Sequence, residues 1–278
     1  MNKQRLVVLG SDSFIISNFL EKVKDDYNLV KITRKEVNLL KKNTNLKIKR
    51  LVKKNDIVVF AAAIAPVKNF KMLNDNLIMC INVFKGLNDL KLKYFINIGS
   101  DAVYKDSLKR INENSKTIPD NLHGFMHLMR EKILLQLNCN KCFIRSTLVY
   151  GSSDPHNSYG PNSFLRLAQK KKNLFVFGKG EEIRDHIFVN DIGDILKSIL
   201  KKKYKGIINL VTSKEKSFFT IANKISKIHK VRLNMKKRFG PMPHNGVRIF
   251  SNKKLKNIMK NYKFTDVLKW IENNERMK

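Results

Sequence analysis

The chain has 278 residues, 42% of them hydrophobic, which excludes global disorder and allows one large α/β domain with a smaller appended one. No apolar run reaches membrane-spanning length; the longest, Val58 to Ala65, is the size of a strand. The formal charge of +33 raises the question of nucleic acid, but the lysines are spread through almost every segment and no RNA-reading motif with interleaved aromatics occurs, which argues against a specific nucleic-acid partner.

Taken in chain order, short β-rich runs alternate with helical stretches, the pattern of a parallel sheet covered on both faces. Strands are predicted at Arg5 to Leu9, Leu29 to Thr33, Ile57 to Ala61, Tyr94 to Gly99 and Cys142 to Val149, with helices near 14–24, 46–53, 74–90 and 121–137. The fold class is therefore a doubly wound α/β sheet of Rossmann type over 1–150. Residues 151–278 form a smaller α/β, mainly substrate-binding region, some elements of which return to that sheet. In it, Gly151, Pro155, Gly160 and Pro161 punctuate a polar loop holding Ser152, Ser153, Asp154, His156 and Asn157, a place where α/β proteins put ligand contacts. A helix at 162–172, a strand at 174–177, a helix from Val189, a strand at 206–211, a helix at 217–229 and a helical stretch around Trp270 complete the chain. The first strand begins by about Leu6, which leaves no room for a signal peptide and predicts a soluble, cytoplasmic protein.

The segment Gly10-Ser11-Asp12-Ser13-Phe14-Ile15-Ile16 joins the first strand to the first helix, where a dinucleotide pyrophosphate meets a helix N-terminus. Gly10, Ser13, Phe14 and Ile15 are the candidate contacts there. Ser13 adds little bulk and offers a hydroxyl, whereas the branched Ile16 is expected to press the helix away from the sheet. Ala61, Ala62 and Ala63 supply small residues where backbone must approach a ligand. The second strand ends Ile32-Thr33-Arg34-Lys35 without an acidic residue for a ribose hydroxyl, and Arg34 suits a 2′-phosphate, so NADP is expected slightly ahead of NAD. Cys139 and Cys142 have C-x-x-C spacing without a second pair, and Cys80 stands alone, so neither a metal nor a disulfide framework is expected.

Three further segments carry a resemblance. They are Ile96 to Tyr104 with Ser100 at the strand end, Arg145-Ser146-Thr147-Leu148-Val149-Tyr150-Gly151, and Gly178-Lys179-Gly180 followed by Arg184-Asp185-His186-Ile187-Phe188-Val189-Asn190-Asp191. Together with the loop at Gly10, which is similar to the G-x-x-G-x-x-G of short-chain dehydrogenases with two glycines replaced, they resemble the extended short-chain dehydrogenases of the nucleotide-sugar epimerase/dehydratase type over residues 4 to 270. The resemblance implies an NAD(P)-dependent oxidoreductase, epimerase or dehydratase acting on a nucleotide-activated sugar, with a use in surface-polysaccharide synthesis. It also allows a homodimer. It places Ser100 at the active-site Ser/Thr, Arg184 and Arg248 at anion-binding positions, and Asn162 at a substrate contact; Asp191 reads as a helix-start residue.

The family's Y-x-x-x-K is matched by His123-Gly124-Phe125-Met126-His127, with histidine at both positions. In one reading His123 moves the proton and His127 contacts ribose, since a neutral imidazole needs no lysine to activate it. In a second the protein is a catalytically inactive nucleotide-binding or scaffold protein on the same fold. In a third the pair, at i and i+4, binds a metal, but no further ligand is identifiable. Tyr104 and Tyr150 are weaker candidates for a phenol.

Overall fold

The computed structural model describes residues 3–152, 154 and 159–276. Ser153, Pro155, His156 and Asn157 of the predicted ligand loop lie outside the described residues. The elements run β1 (Arg5–Leu9), α1 (Phe14–Val23), β2 (Asn28–Ile32), α2 (Thr44–Leu51), β3 (Ile57–Phe60), α3 (Phe70–Leu87) and β4 (Tyr94–Ser100). A 3-10 turn (Asp101–Val103), α4 (Leu122–Leu134), β5 (Lys141–Ser146), β6 (Leu148–Tyr150), α5 (Pro161–Gln169), β7 (Leu174–Phe177), β8 (Ile183–Arg184) and β9 (His186–Phe188) follow. The chain continues through α6 (Val189–Lys202), β10 (Gly206–Leu210), β11 (Lys216–Ser217), α7 (Phe218–His229) and β12 (Leu233–Lys236). A second 3-10 turn (Pro243–Gly246), β13 (Val247–Arg248), α8 (Lys253–Ile258) and α9 (Val267–Arg276) end it.

Two compact units emerge, one of residues 1–105, 113–146 and 193–209, the other of 106–112, 147–192 and 210–278. The first is built on a six-stranded sheet of order β10-β5-β4-β3-β1-β2, in which β1 pairs in parallel with β2 and β3, β3 with β4, and β4 with β5. Its central strands are apolar on both faces because both faces are covered: Val7, Leu9, Val58 and Phe60 are buried in one core with Val83 and Leu87 of α3. From β1 the chain moves outward to β2 and then returns to β3 on the other side. The carboxyl ends of β1 and β3 therefore form the crevice at which such sheets take ligands. α1 buries Ile16, Phe19, Leu20 and Val23, a stripe at helical spacing. Ile16 is fully buried, so its branched side chain packs in the interior.

α3 starts at Phe70, four residues before the predicted helix, because the Asn69 side chain accepts the Met72 N–H and caps it. The apolar run 142–149, predicted as one strand, is two. After Ser146 the chain leaves the large sheet, the Thr147 hydroxyl donates to the Asp185 carbonyl, and Leu148–Tyr150 pairs with β9. The second unit also contains the parallel pair β12–β7 and a three-stranded sheet of order β11-β8-β13. Its core gathers Tyr150, Phe164, Leu174, Phe218, Ile225 and Trp270. No helix among the described residues is long and apolar enough to cross a membrane.

Candidate active site

At the crevice, Gly10 adopts φ +84°, and a Cβ on it would lie 2.5 Å from the Ala62 nitrogen. Only glycine fits this turn. The Gly10 and Ser11 N–H groups donate to the Ile32 carbonyl, tying the turn to β2. Ser13 is the N-cap of α1, its side chain making no capping bond, so the first-turn N–H groups at Phe14 and Ile15 are left for an anion. Ala61 and Ala62 donate their N–H groups to the Leu9 carbonyl, which brings the alanines against the glycine turn. Gly10, Ser13, Phe14, Ile15, Ala61 and Ala62 thus meet at one crevice, with Ala63 following on the same loop. A cradle that a Cβ would fill, facing a helix N-terminus with unused donors, fits a dinucleotide pyrophosphate.

Arg34 is exposed just past β2. The view that this strand end lacks an acidic group is corrected: the Glu36 carboxylate accepts the Thr33 N–H at 2.6 Å. Glu36 lies one residue beyond the Ile32-Thr33-Arg34-Lys35 strand end, and its side chain folds back onto it.

Ser100, His123 and His127 lie in the same unit. Ser100 ends β4, and its Oγ accepts the Ala102 N–H at 3.2 Å, capping the 3-10 turn. Asn121 caps α4 by accepting the Gly124 N–H, which sets His123 in the first turn. Gly124 packs directly on the Ala102 carbonyl, with no room for a side chain. That close approach holds the His123 end of α4 against the segment carrying Ser100. The His123 Nδ1 accepts the Val67 N–H at a long 3.5 Å. With Nδ1 accepting, the neutral ring carries its hydrogen on Nε2, a donor for a carbonyl oxygen; proton uptake uses the other tautomer, which gives up only that long bond.

Burial holds the His123 pKa below the ordinary imidazole value, with the Asp101 carboxylate opposing and the Arg130 guanidinium reinforcing the shift. The His127 ring meets it edge to face at 4.7 Å between centroids. His127 is 5% exposed, its Nδ1 is buried without a hydrogen-bond partner, and burial drives its pKa well down, helped by His123 and Arg130. Both imidazoles are neutral at pH 7. Among the described residues, no cluster of three metal-ligating side chains includes either histidine. The Tyr104 hydroxyl donates to the Asn209 Oδ1, and burial pushes its pKa up to about 12; the Tyr150 hydroxyl donates to the Thr265 carbonyl. Both phenols are committed to structural bonds.

Two further features of this helix escaped the sequence reading. Glu131 and Arg145 form a buried bidentate pair at 2.9 and 2.6 Å that joins α4 to β5. Arg130 is fully buried, donates to the Ala62 carbonyl at 3.0 Å and the Asn97 Oδ1 at 3.2 Å, and stacks on Phe60. The available signal was spacing: residues 123, 127 and 130 share one helix face.

In the second unit, β8 and β13 pair so that Arg184 and Arg248 stand opposite each other in register. Arg184 is held by Glu182 at 2.7 Å and by the Pro243 carbonyl; Arg238 also binds Glu182. Arg248 binds Asp106 at 2.7 Å, beside the His244 ring. Two guanidiniums are thus brought together by strand pairing, each oriented by a carboxylate, an arrangement that can receive a diphosphate. The Asn162 side chain accepts the Gly151 N–H and donates to Asp154, so it shapes the loop after β6. Asp185 is buried, accepts from Thr212 and Ser213, and has its pKa pushed up to about 7 by that burial. Asp191, in the first turn of α6, accepts from Tyr262 and Thr265.

A doubly wound sheet with a glycine turn at its switch point, and a helix setting two imidazoles near a β4 serine, is a Rossmann-type dinucleotide-binding scaffold. The chain belongs to the NAD-dependent epimerase/dehydratase family, whose model matches residues 6–210. It is 24% identical over 261 residues to the dTDP-D-glucose 4,6-dehydratase of Homo sapiens, covering 82% of this chain and 74% of that one. A trifunctional UDP-glucose 4,6-dehydratase, epimerase and reductase of Arabidopsis thaliana is 25% identical over 155 residues, 50% of this chain. The match spans only 22% of that plant enzyme's length. Among solved structures, UDP-N-acetylglucosamine 4-epimerase from Methanobrevibacter ruminantium, in complex with UDP-N-acetylmuramic acid, superimposes with a TM-score of 0.82 at 18% identity, covering 98% of this chain and 96% of that one. UDP-glucuronic acid 4-epimerase from Bacillus cereus, in complex with UDP-glucuronic acid and NAD, gives 0.82 at 18% identity and 97% of each chain.

Proposed function

We propose that the protein is an active NAD(P)-dependent epimerase, dehydratase or reductase of a nucleotide-activated sugar, with histidine doing the work of the family's tyrosine. The observation that carries this reading is the Gly124 contact, which fixes a neutral His123 against the Ser100 segment beside a built dinucleotide crevice. An abandoned site has no need of that fit, which weighs against the inactive-scaffold alternative. The dinucleotide, when bound, supplies hydride transfer at a sugar carbon. His123 moves the proton of the sugar oxygen, Ser100 hydrogen-bonds that oxygen, and His127 contacts ribose with the ring edge opposite its buried nitrogen. The N-terminus of α1 holds pyrophosphate. Arg184 and Arg248 hold the sugar nucleotide's diphosphate, and Asn162 shapes the adjoining substrate loop.

At the end of β2, Arg34 and Lys35 favour the 2′-phosphate of NADP, while Glu36 favours the free ribose hydroxyls of NAD. The exposed Arg34 keeps NADP slightly ahead; the solved glucuronic acid epimerase carries NAD. The substrate class fits a role in building surface polysaccharide, and a homodimer fits the resemblance.

The test is His123→Ala assayed with UDP- and dTDP-hexoses. Turnover should fall to background while the thermal shift produced by NAD or NADP persists, because a ligand that binds only the folded state raises its stability whatever the chemistry. Unchanged turnover would remove His123 from the mechanism.

A further inference from the structure

Arg130 is a guanidinium with no exposed surface, and no salt bridge joins it to a carboxylate among the described residues. Its two terminal bonds go to neutral acceptors, the Ala62 carbonyl and the Asn97 side chain, and its Nε is buried without a partner. The Phe60 ring lies under it at 4.2 Å. The one titratable group facing it from α3 is the Cys80 thiol, which burial pushes up to about 11 and leaves uncharged. The next residue, Glu131, does not neutralise it, being bound to Arg145. Burial lowers the Arg130 pKa only to about 10, so the charge is present at neutral pH. A buried cation without a counter-ion is unfavourable, and a neutral side chain of similar length could fill the same space. What the charge can act on lies one and two helical turns away: His127 at i−3 and His123 at i−7, on the same face of α4.

We propose that Arg130 is a positioning residue, a deliberately unpaired buried cation that fixes the Ala62 carbonyl at the dinucleotide crevice and biases His123 and His127 toward their uncharged forms. Histidine at both motif positions leaves this face of α4 without a fixed charge there, and Arg130, farther along the same face, supplies one. Around His123 the opposing group is Asp101, which favours the imidazolium; around His127 no carboxylate opposes. Burial is the main cause that keeps both imidazoles neutral; Arg130 adds to it at each ring, and its bond to the Ala62 carbonyl links them to the loop whose alanines pack on Gly10. The catalytic significance rests on the proposed function above, but the electrostatic claim does not.

The experiment follows imidazole titration by NMR in the full chain labelled at histidine, with His123→Asn and His127→Asn for assignment. In the wild type, both midpoints should lie below the ordinary value of about 6.5. Arg130→Met should raise the His123 midpoint by about half a pH unit and weaken NAD and NADP binding, and Arg130→Lys, a buried ammonium that sheds its proton far more readily, should move the midpoints in the same direction. Asn97→Asp places a carboxylate on the guanidinium without removing it and should raise the midpoints too, so the question is answered even if Arg130→Met fails to fold. Midpoints unchanged in Asn97→Asp, or in a folded Arg130→Met, overturn the proposal. Shifted midpoints in a protein that turns over no nucleotide sugar would uphold it and refute the proposed function alone.

Discussion

Replacing Gly124 by alanine adds one methyl group where none fits. Its Cβ would lie 2.8 Å from the Ala102 carbonyl carbon, nearer still to the oxygen, and 2.7 Å from the Pro119 Cβ. Restoring an ordinary 3.4 Å contact at that carbon requires a retreat of about 0.6 Å, and the nearer oxygen demands more. Alanine favours the helix over glycine by up to about 1 kcal/mol. Overpacking against backbone costs about 1–3 kcal/mol, and a carbonyl held in a capped turn yields less readily than a side-chain tip. The contact term wins, and the net effect should be destabilisation of about 1–2 kcal/mol. The displacement falls between His123 and Ser100, where misplacement approaching 1 Å is worth up to about a hundredfold in rate. Urea denaturation reads the first effect, and turnover of the preferred sugar nucleotide reads the second. A Gly124→Ala protein as stable and as fast as wild type would refute the claim that this contact sets the site.

Two other consequences concern buried charge. Glu131→Gln should cost about 3 kcal/mol or more in urea denaturation, because it strands Arg145 without its counter-ion in the interior; a loss under about 1 kcal/mol would contradict the pairing. His186 is buried, and that burial pushes its pKa down to about 3, whereas an unfolded imidazole takes a proton near 6.5. Between those values the unfolded chain binds the extra proton, so this group's contribution is present above about 6.5 and is lost as pH falls, at no more than about 1.4 kcal/mol per pH unit. Asp185, held up to about 7, acts with opposite sign, its contribution being lost as pH rises through that value. His186→Leu should therefore lose less stability than wild type between pH 6.5 and 5; parallel curves would show that His186 is not held neutral.

The large sheet was legible because its strands are buried on both faces and read as continuous apolar runs, as Val7 to Leu9 and Ile57 to Phe60 do. The break at Thr147 was not, since nothing in the apolar run 142–149 marks where a hydroxyl trades its place in one sheet for a bond to the Asp185 carbonyl. The strand pairs β8, β11 and β13 are too short for any period to register, although they are what puts Arg184 beside Arg248. At the crevice, Gly10, Ser13 and the alanines could be found from their position after strands. Glu36 could not, because its side chain acts by folding back to the Thr33 N–H; for Arg130 helical spacing marks the face it shares with His123 and His127, but not its bond across to Ala62. Ile16 shows the converse, a residue judged by its type at a loop position that packing reassigns to the core.

The most direct test of the central claim is isotope transfer from UDP- and dTDP-hexoses carrying deuterium at the sugar carbon that is oxidised, incubated with the protein and its dinucleotide. Deuterium carried into the epimerised or dehydrated product, or left in the reduced dinucleotide, by wild type but not by His123→Ala is the result predicted. Sugar nucleotides and dinucleotide that bind, as judged by thermal shift, yet exchange no deuterium would contradict an active site built on histidine and favour the scaffold instead.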